Sequence, residues 1–220
     1  MKYKSIFDII GPIMVGPSSS HTAGAVRIGQ IARRIFGMEP EEIHIHFYGS
    51  FAETYKGHAT DIAVIAGLLD FETDDPRIQD AILIAQKKGI QIHFYTEEIV
   101  PSHPNTLEIK LVKGDETLEL TGISVGGGAV QISELNGFSL NLSGENPAML
   151  IYHKDAYGVV ASVAVILANH KINISRMNVS RIERDSMALM VIETDQTIQE
   201  EILKEIGLKD NVKKVYVLSA

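Results

Sequence analysis

Apolar positions first recur at helical spacing just beyond the run Ser18-Ser19-Ser20-His21-Thr22. Val26, Ile28, Ile31, Ile35 and Phe36 fall on one face, Arg33 and Arg34 sit in the last turn, and Gly37 supplies the stop. Thr22 is the expected N-cap of this helix. Residues 42–48 then alternate, with Ile43, Ile45 and Phe47 on one face and His44, His46 and Tyr48 on the other, which predicts a half-buried strand ended by Gly49-Ser50. Residues 59–69 are apolar on nearly every side and carry Asp61 near the start, as suits a buried helix whose positive end meets something polar. A further helix is expected over 75–88, closed by Gly89, and a strand over 90–95. Residues 105–112 and 116–120 read as strands joined by the turn Lys113-Gly114-Asp115. Gly126-Gly127-Gly128 interrupts the apolar stretch 123–125; it lacks the spacing of a dinucleotide fingerprint and reads as a bulge or a close backbone contact.

Turn formers cluster at Ser143-Gly144-Glu145-Asn146-Pro147 and periodicity vanishes there, so two domains are expected, 1–145 and 148–220. The second has its own pattern: strand 148–154, helix 159–171, strands 174–183 and 186–194, helix 198–206 and strand 212–218. That order is βαββαβ, the ferredoxin-like arrangement. The fold class is therefore α/β (α+β), a mixed-sheet N-terminal domain followed by a ferredoxin-like one.

Composition narrows the function. The 220 residues carry 20 Lys plus Arg against 28 Asp plus Glu, a net charge of -8. This speaks against nucleic acid and anionic membrane surfaces as partners. Apolar stretches such as 62–69 and 159–167 are far short of the roughly 20 residues that span a bilayer, and Asp8 interrupts the only candidate signal-peptide core, so a cytoplasmic protein is expected. With no cysteine, the chain by itself makes neither a disulfide nor a thiolate-held iron-sulfur centre.

The stretch from Gly16 to Gly24 gathers hydroxyls and backbone N–H groups ahead of a helix, an arrangement suited to a carboxylate. His21 adds a group that exchanges protons near neutral pH. The same residue types also serve as a plain helix cap. His44 and His46 share a strand face, but no third metal ligand is evident in the sequence, and no metal site is expected in this chain.

Gly16-Pro17-Ser18-Ser19-Ser20-His21-Thr22-Ala23-Gly24, with Gly11-Pro12 before it and Arg27-Ile28-Gly29 after it, resembles the signature of iron-sulfur L-serine dehydratases. Gly57-His58-Ala59-Thr60-Asp61 resembles that family's Gly-His-Gly-Thr-Asp segment, with Ala59 in place of the more usual Gly. His103-Pro104-Asn105-Thr106 matches its His-Pro-Asn-Thr segment. The likeness runs from about Tyr3 to Leu142. Beyond it, Asp155-Ala156-Tyr157-Gly158-Val159, Lys171-Ile172-Asn173-Ile174-Ser175, Met177 and Arg181 resemble the ACT family, with Tyr157 where a Pro is common.

The first resemblance implies a β subunit that deaminates L-serine to pyruvate and ammonia, a reaction feeding gluconeogenesis. It implies a 4Fe-4S cluster ligated by a cysteine-bearing α subunit. His21, Ser19 and Ser20 become the candidate catalytic residues, and Ser18, Thr22, His58, Asp61, His103, Asn105 and Thr106 the candidate substrate contacts. Which histidine is the base stays open. The ACT resemblance implies a small effector or ion held near Gly158, Asn173 and Ile174, and an ACT-mediated dimer. The alternative is an amino-acid sensor without catalytic residues.

Overall fold

The computed structural model describes residues 12–218, and these divide into two compact units between Asn136 and Gly137. No helix among the described residues is long and apolar enough to cross a membrane.

In the first unit a single π-helical turn, Ser19–Ala23, runs into α1 (Gly24–Phe36). There follow β1 (Glu42–Tyr48), α2 (Gly49–Thr54), α3 (Thr60–Leu68), a 3-10 turn (Pro76–Asp80), α4 (Ala81–Lys87), β2 (Gln91–Glu97), β3 (Asn105–Lys113), β4 (Glu116–Gly126) and β5 (Ala129–Leu135). The strands lie in the order β2-β1-β3-β4-β5, with β1 and β2 parallel and the other neighbours antiparallel. Alternation along β1 appears as expected: Ile43, Ile45 and Phe47 are buried, in register with Leu111, Ile109 and Leu107 of β3.

Helices α1 and α3 pack where glycine lets their backbones meet. A Cβ on Gly67 would stand 2.0 Å from the Val26 carbonyl oxygen, and one on Gly29 would stand 2.4 Å from that of Val64. Gln30 ties the pair to the following loop, its amide donating to the Phe71 carbonyl at 2.9 Å. The Gly37 stop is as expected, with φ of 74° and its N–H bonded to the Arg33 carbonyl.

Several expectations need correction. Thr22 is not a cap: Ser18 takes that place, accepting the His21 N–H, while Thr22 lies buried inside the π turn. The helix expected over 75–88 breaks in two, because Asp75 caps a 3-10 turn begun by Pro76 before α4 starts at Ala81. Helix α2 and strand β5 were not read from the sequence. The three glycines 126–128 all have positive φ, and β4 and β5 shift register there, which agrees with the expected bulge.

The second unit holds β6 (Phe138–Leu142), β7 (Ala148–Lys154), α5 (Val159–Asn169), β8 (Ile174–Arg181), β9 (Met187–Thr194), α6 (Glu200–Gly207) and β10 (Val212–Leu218). Its antiparallel sheet has the order β10-β7-β9-β8, the ferredoxin-like topology expected from the sequence. Met149, Ile151, Met190 and Ile192 form its core with Val163, Leu167, Ile202 and Ile206 of the two helices. Residues 143–147 connect β6 to β7 within this unit, and the Ser143 N–H donates to the buried Glu193 carboxylate at 2.7 Å.

Candidate active site

The π turn places four consecutive polar side chains, Ser19 to Thr22, just ahead of α1, and His21 among them is engaged at both ring nitrogens. Its Nδ1 lies 3.0 Å from Ser20 Oγ and 3.4 Å from Ser18 Oγ. Its Nε2 lies 3.1 Å from Ser50 Oγ, in the first turn of α2. A hydroxyl both donates and accepts, so either imidazole tautomer is satisfied. The ring meets Phe51 edge-on at 5.1 Å and His58 at 4.6 Å. Burial first, and then the neighbouring His58, lower the pKa of His21 below its usual 6.5. The imidazole is thus neutral at neutral pH and available as a proton acceptor.

The segment 57–61 joins this cluster through main chain as well as side chain. Thr22 Oγ1 donates to the His58 carbonyl at 3.1 Å, and Thr60 begins α3. Buried polar atoms gather here without partners: His58 Nδ1 and Thr60 Oγ1, together with Ser124 Oγ, which faces Gly24. Unsatisfied polar atoms of this kind carry a desolvation cost and are commonest where a ligand or water completes the set. Asp61 accepts the Ile62 N–H at 2.9 Å, and burial raises its pKa against that bond.

The third motif is held more remotely. The Pro104 carbonyl accepts the Ser50 N–H at 2.8 Å, and a bridge pairs Gly49 with Asn105. A Cβ on Gly49 would come within 2.7 Å of the Pro104 oxygen, so only glycine allows this approach. Within the loop, His103 Nδ1 accepts the Asn105 N–H and Thr106 Oγ1 donates to the His103 carbonyl at 2.6 Å. Residues 103–106 therefore reach His21 by way of Ser50. Ser50 had no motif to announce it; the signal was only a Gly-Ser pair closing a strand. It lies beyond the carboxyl end of β1, where open sheets with parallel strands carry their ligand sites.

In the second unit a cavity of about 580 Å³ is lined by Lys154, Asp155, Ala156, Tyr157, Arg181, Arg184 and Asp185. Arg181 donates to Asp155 at 2.6 Å and holds that carboxyl below its usual range. Gly158, with φ of 84°, follows this loop directly. Asn173 and Ile174 stand at the opposite end of the β7-α5-β8 crossover, so within one chain they do not join Gly158.

The first unit carries a serine-rich histidine turn ahead of α1, met by Ser50 from beyond the end of β1, and the second unit has a ferredoxin-like fold, which together define a two-domain protein with an ACT-type second unit. Known families agree. The Serine dehydratase beta chain family matches residues 5–87, and the ACT domain matches residues 148–207. The probable L-serine dehydratase, beta chain, of Bacillus subtilis is 57% identical over 215 residues, covering 98% of each chain. The L-serine dehydratase, beta chain, of Peptoniphilus asaccharolyticus is 35% identical over 92% of each. L-serine dehydratase TdcG of Escherichia coli is 35% identical over 61% of this chain and 35% of its own length. The chain belongs to the L-serine dehydratase β-chain family.

Proposed function

We propose that this chain is the β subunit of an iron-sulfur L-serine dehydratase and contributes the proton-transfer side of its active site. The observation that carries the reading is His21, neutral and half-buried, flanked on both ring nitrogens by serine hydroxyls, one of them that of Ser50 just beyond the end of β1.

The reaction removes the Cα proton and the β-hydroxyl of L-serine as water. The aminoacrylate left behind becomes an imine and hydrolyses to pyruvate and ammonia. In this reading His21 takes the Cα proton, while Ser18, Ser19 and Ser20 hold the substrate carboxylate or amino group. His58, Asp61, His103, Asn105 and Thr106 orient the substrate or the loop around it. Thr22 acts through His58, whose carbonyl its buried hydroxyl already engages.

Hydroxide is a poor leaving group and needs a Lewis acid. A 4Fe-4S cluster would supply that, but the donors here are hydroxyls, imidazoles and carboxylates, and no thiolate exists to hold one. The cluster is therefore assigned to a cysteine-bearing α subunit. The share of the Escherichia coli relative that is matched supports this division, since 35% of that polypeptide corresponds to the present chain and the rest is additional. The cytoplasm, whose reducing conditions suit such a cluster, is the expected compartment. A sensor without catalytic residues is not favoured, because both halves of the chain match dehydratase β chains.

In the second unit, the cleft before Gly158 offers both charge signs, Lys154 and Arg184 against Asp155 and Asp185, as a zwitterionic effector would require. A dimer through this unit could bring Asn173 and Ile174 of one copy toward Gly158 of the other.

The test is anaerobic co-expression with the cysteine-bearing partner and measurement of pyruvate from L-serine. Production by the pair supports the reading. A pair that forms a loaded complex yet leaves serine untouched overturns it.

A further inference from the structure

Beyond the serine-binding turn, the first unit holds a second convergence of ligating groups on the polar face of its sheet. Glu42 and His44 are neighbours on one face of β1, and the parallel register sets His93 of β2 directly beside His44. Glu42 Oε1 lies 3.1 Å from His44 Nε2 and 3.1 Å from His93 Nε2, and the three ligating atoms all fall within 4.8 Å of one another. We propose that Glu42, His44 and His93 form a binding site for a divalent transition-metal ion of the zinc type, clipping the edge strand β2 to β1.

Three observations carry this. The first is spacing: metal-ligand bonds of about 2.0–2.1 Å in a tetrahedral site put neighbouring ligand atoms about 3.3–3.4 Å apart, close to the separations from Glu42 Oε1. The second is an orphan, since His93 Nε2 is shut off from solvent without a hydrogen-bond partner; the nearby carboxylate oxygen lies outside hydrogen-bonding geometry. An acceptor nitrogen in that position is satisfied by a cation. The third is the outer shell. Tyr95 Oη stands 3.2 Å from His44 Nδ1, and an Nδ1–H donated to it leaves the Nε2 lone pair facing Glu42. The rings of His44 and His93 stack at 4.7 Å with 15° between planes, which keeps both nitrogens on one side.

Two imidazoles and a carboxylate suit zinc, cobalt or nickel better than magnesium or calcium, which prefer oxygen alone. The side chains are part-exposed although His93 Nε2 itself is covered, and water would complete the coordination. The sequence concealed the site because His44 and His46 look like the pair. The structure instead sends His46 to Glu97, at 2.6 Å, and brings the third ligand from a strand nearly fifty residues away.

The test uses the complete chain, stripped with a chelator and titrated with Co²⁺ while its visible ligand-field absorption is followed, then displaced with Zn²⁺. The expected result is one ion per chain and a higher melting temperature with Zn²⁺. Both effects should vanish in His93→Ala and in the near-isosteric Glu42→Gln, and Tyr95→Phe should weaken binding by about tenfold. His170→Ala, in the other unit, should bind as the parent does. Proton NMR of the parent with Co²⁺ should shift the imidazole signals of His44 and His93. Absence of a cobalt spectrum, or a spectrum that persists unchanged in folded Glu42→Gln, overturns the proposal and leaves the trio as an ion pair. No step depends on dehydratase activity.

Discussion

At the scale of single residues, His21 separates a catalytic turn from a mere cap. Losing a positioned proton-transfer group costs about two to four orders of magnitude in rate, whereas losing a cap costs about 1 kcal/mol of stability. His21→Ala in the proposed two-chain enzyme should therefore abolish most serine turnover with little change in melting temperature; the reverse pattern would make the turn structural. The sign of the pH effect follows from the lowered pKa. Between the folded value and 6.5 the unfolded chain binds the proton first, so this residue's contribution to stability is complete above pH 6.5 and is lost as pH falls through the folded value. The acid limb of kcat/KM should likewise lie below 6.5 and move upward in His58→Gln, which removes one cause of the lowering. Ala59 gives a separate case. It holds φ of 55° just before α3, a left-handed position where a methyl costs about 1–2 kcal/mol. Glycine there loses about 0.4–1 kcal/mol through its looser unfolded chain. Ala59→Gly should still stabilise by about 0.5–1 kcal/mol, measurable by denaturant unfolding.

Among the elements, the α1–α3 crossing decides where the π turn points. Gly29 and Gly67 let the two backbones touch, and this contact sets Thr22 against the His58 carbonyl at the helices' leading ends. A methyl at Gly67 would meet the Val26 carbonyl group rather than a movable side chain. Gly67→Ala should cost about 1–3 kcal/mol and lower serine turnover along with stability, because the helices must part. Urea unfolding together with the pyruvate assay checks both. A normal melt with normal turnover would show that the crossing relaxes freely.

For the whole molecule, the missing thiolates make a plain expectation. The purified chain should be colourless and unable to form pyruvate from L-serine, even after iron and sulfide are supplied, and activity should appear only with the cysteine-bearing partner. Anaerobic reconstitution of the chain alone, followed by absorption spectroscopy and a pyruvate assay, decides it; serine-dependent pyruvate from the single chain would refute the division of labour.

What the sequence by itself determined was whatever is written locally. Period-two alternation along β1, the helical spacing after His21, the Gly37 stop and the βαββαβ order of the second unit all depend on neighbours in the chain, and all were legible. The three polar motifs were legible as well, though not their geometry. Only the tertiary structure decided that Ser50 faces the His21 ring, that Pro104 accepts the Ser50 N–H, and that Thr22 is buried against His58 rather than capping a helix. It alone set His93 beside His44, through the parallel register of β1 and β2. Each of these pairings joins residues far apart in the chain, and parallel register and close helix packing, not local propensity, bring them together.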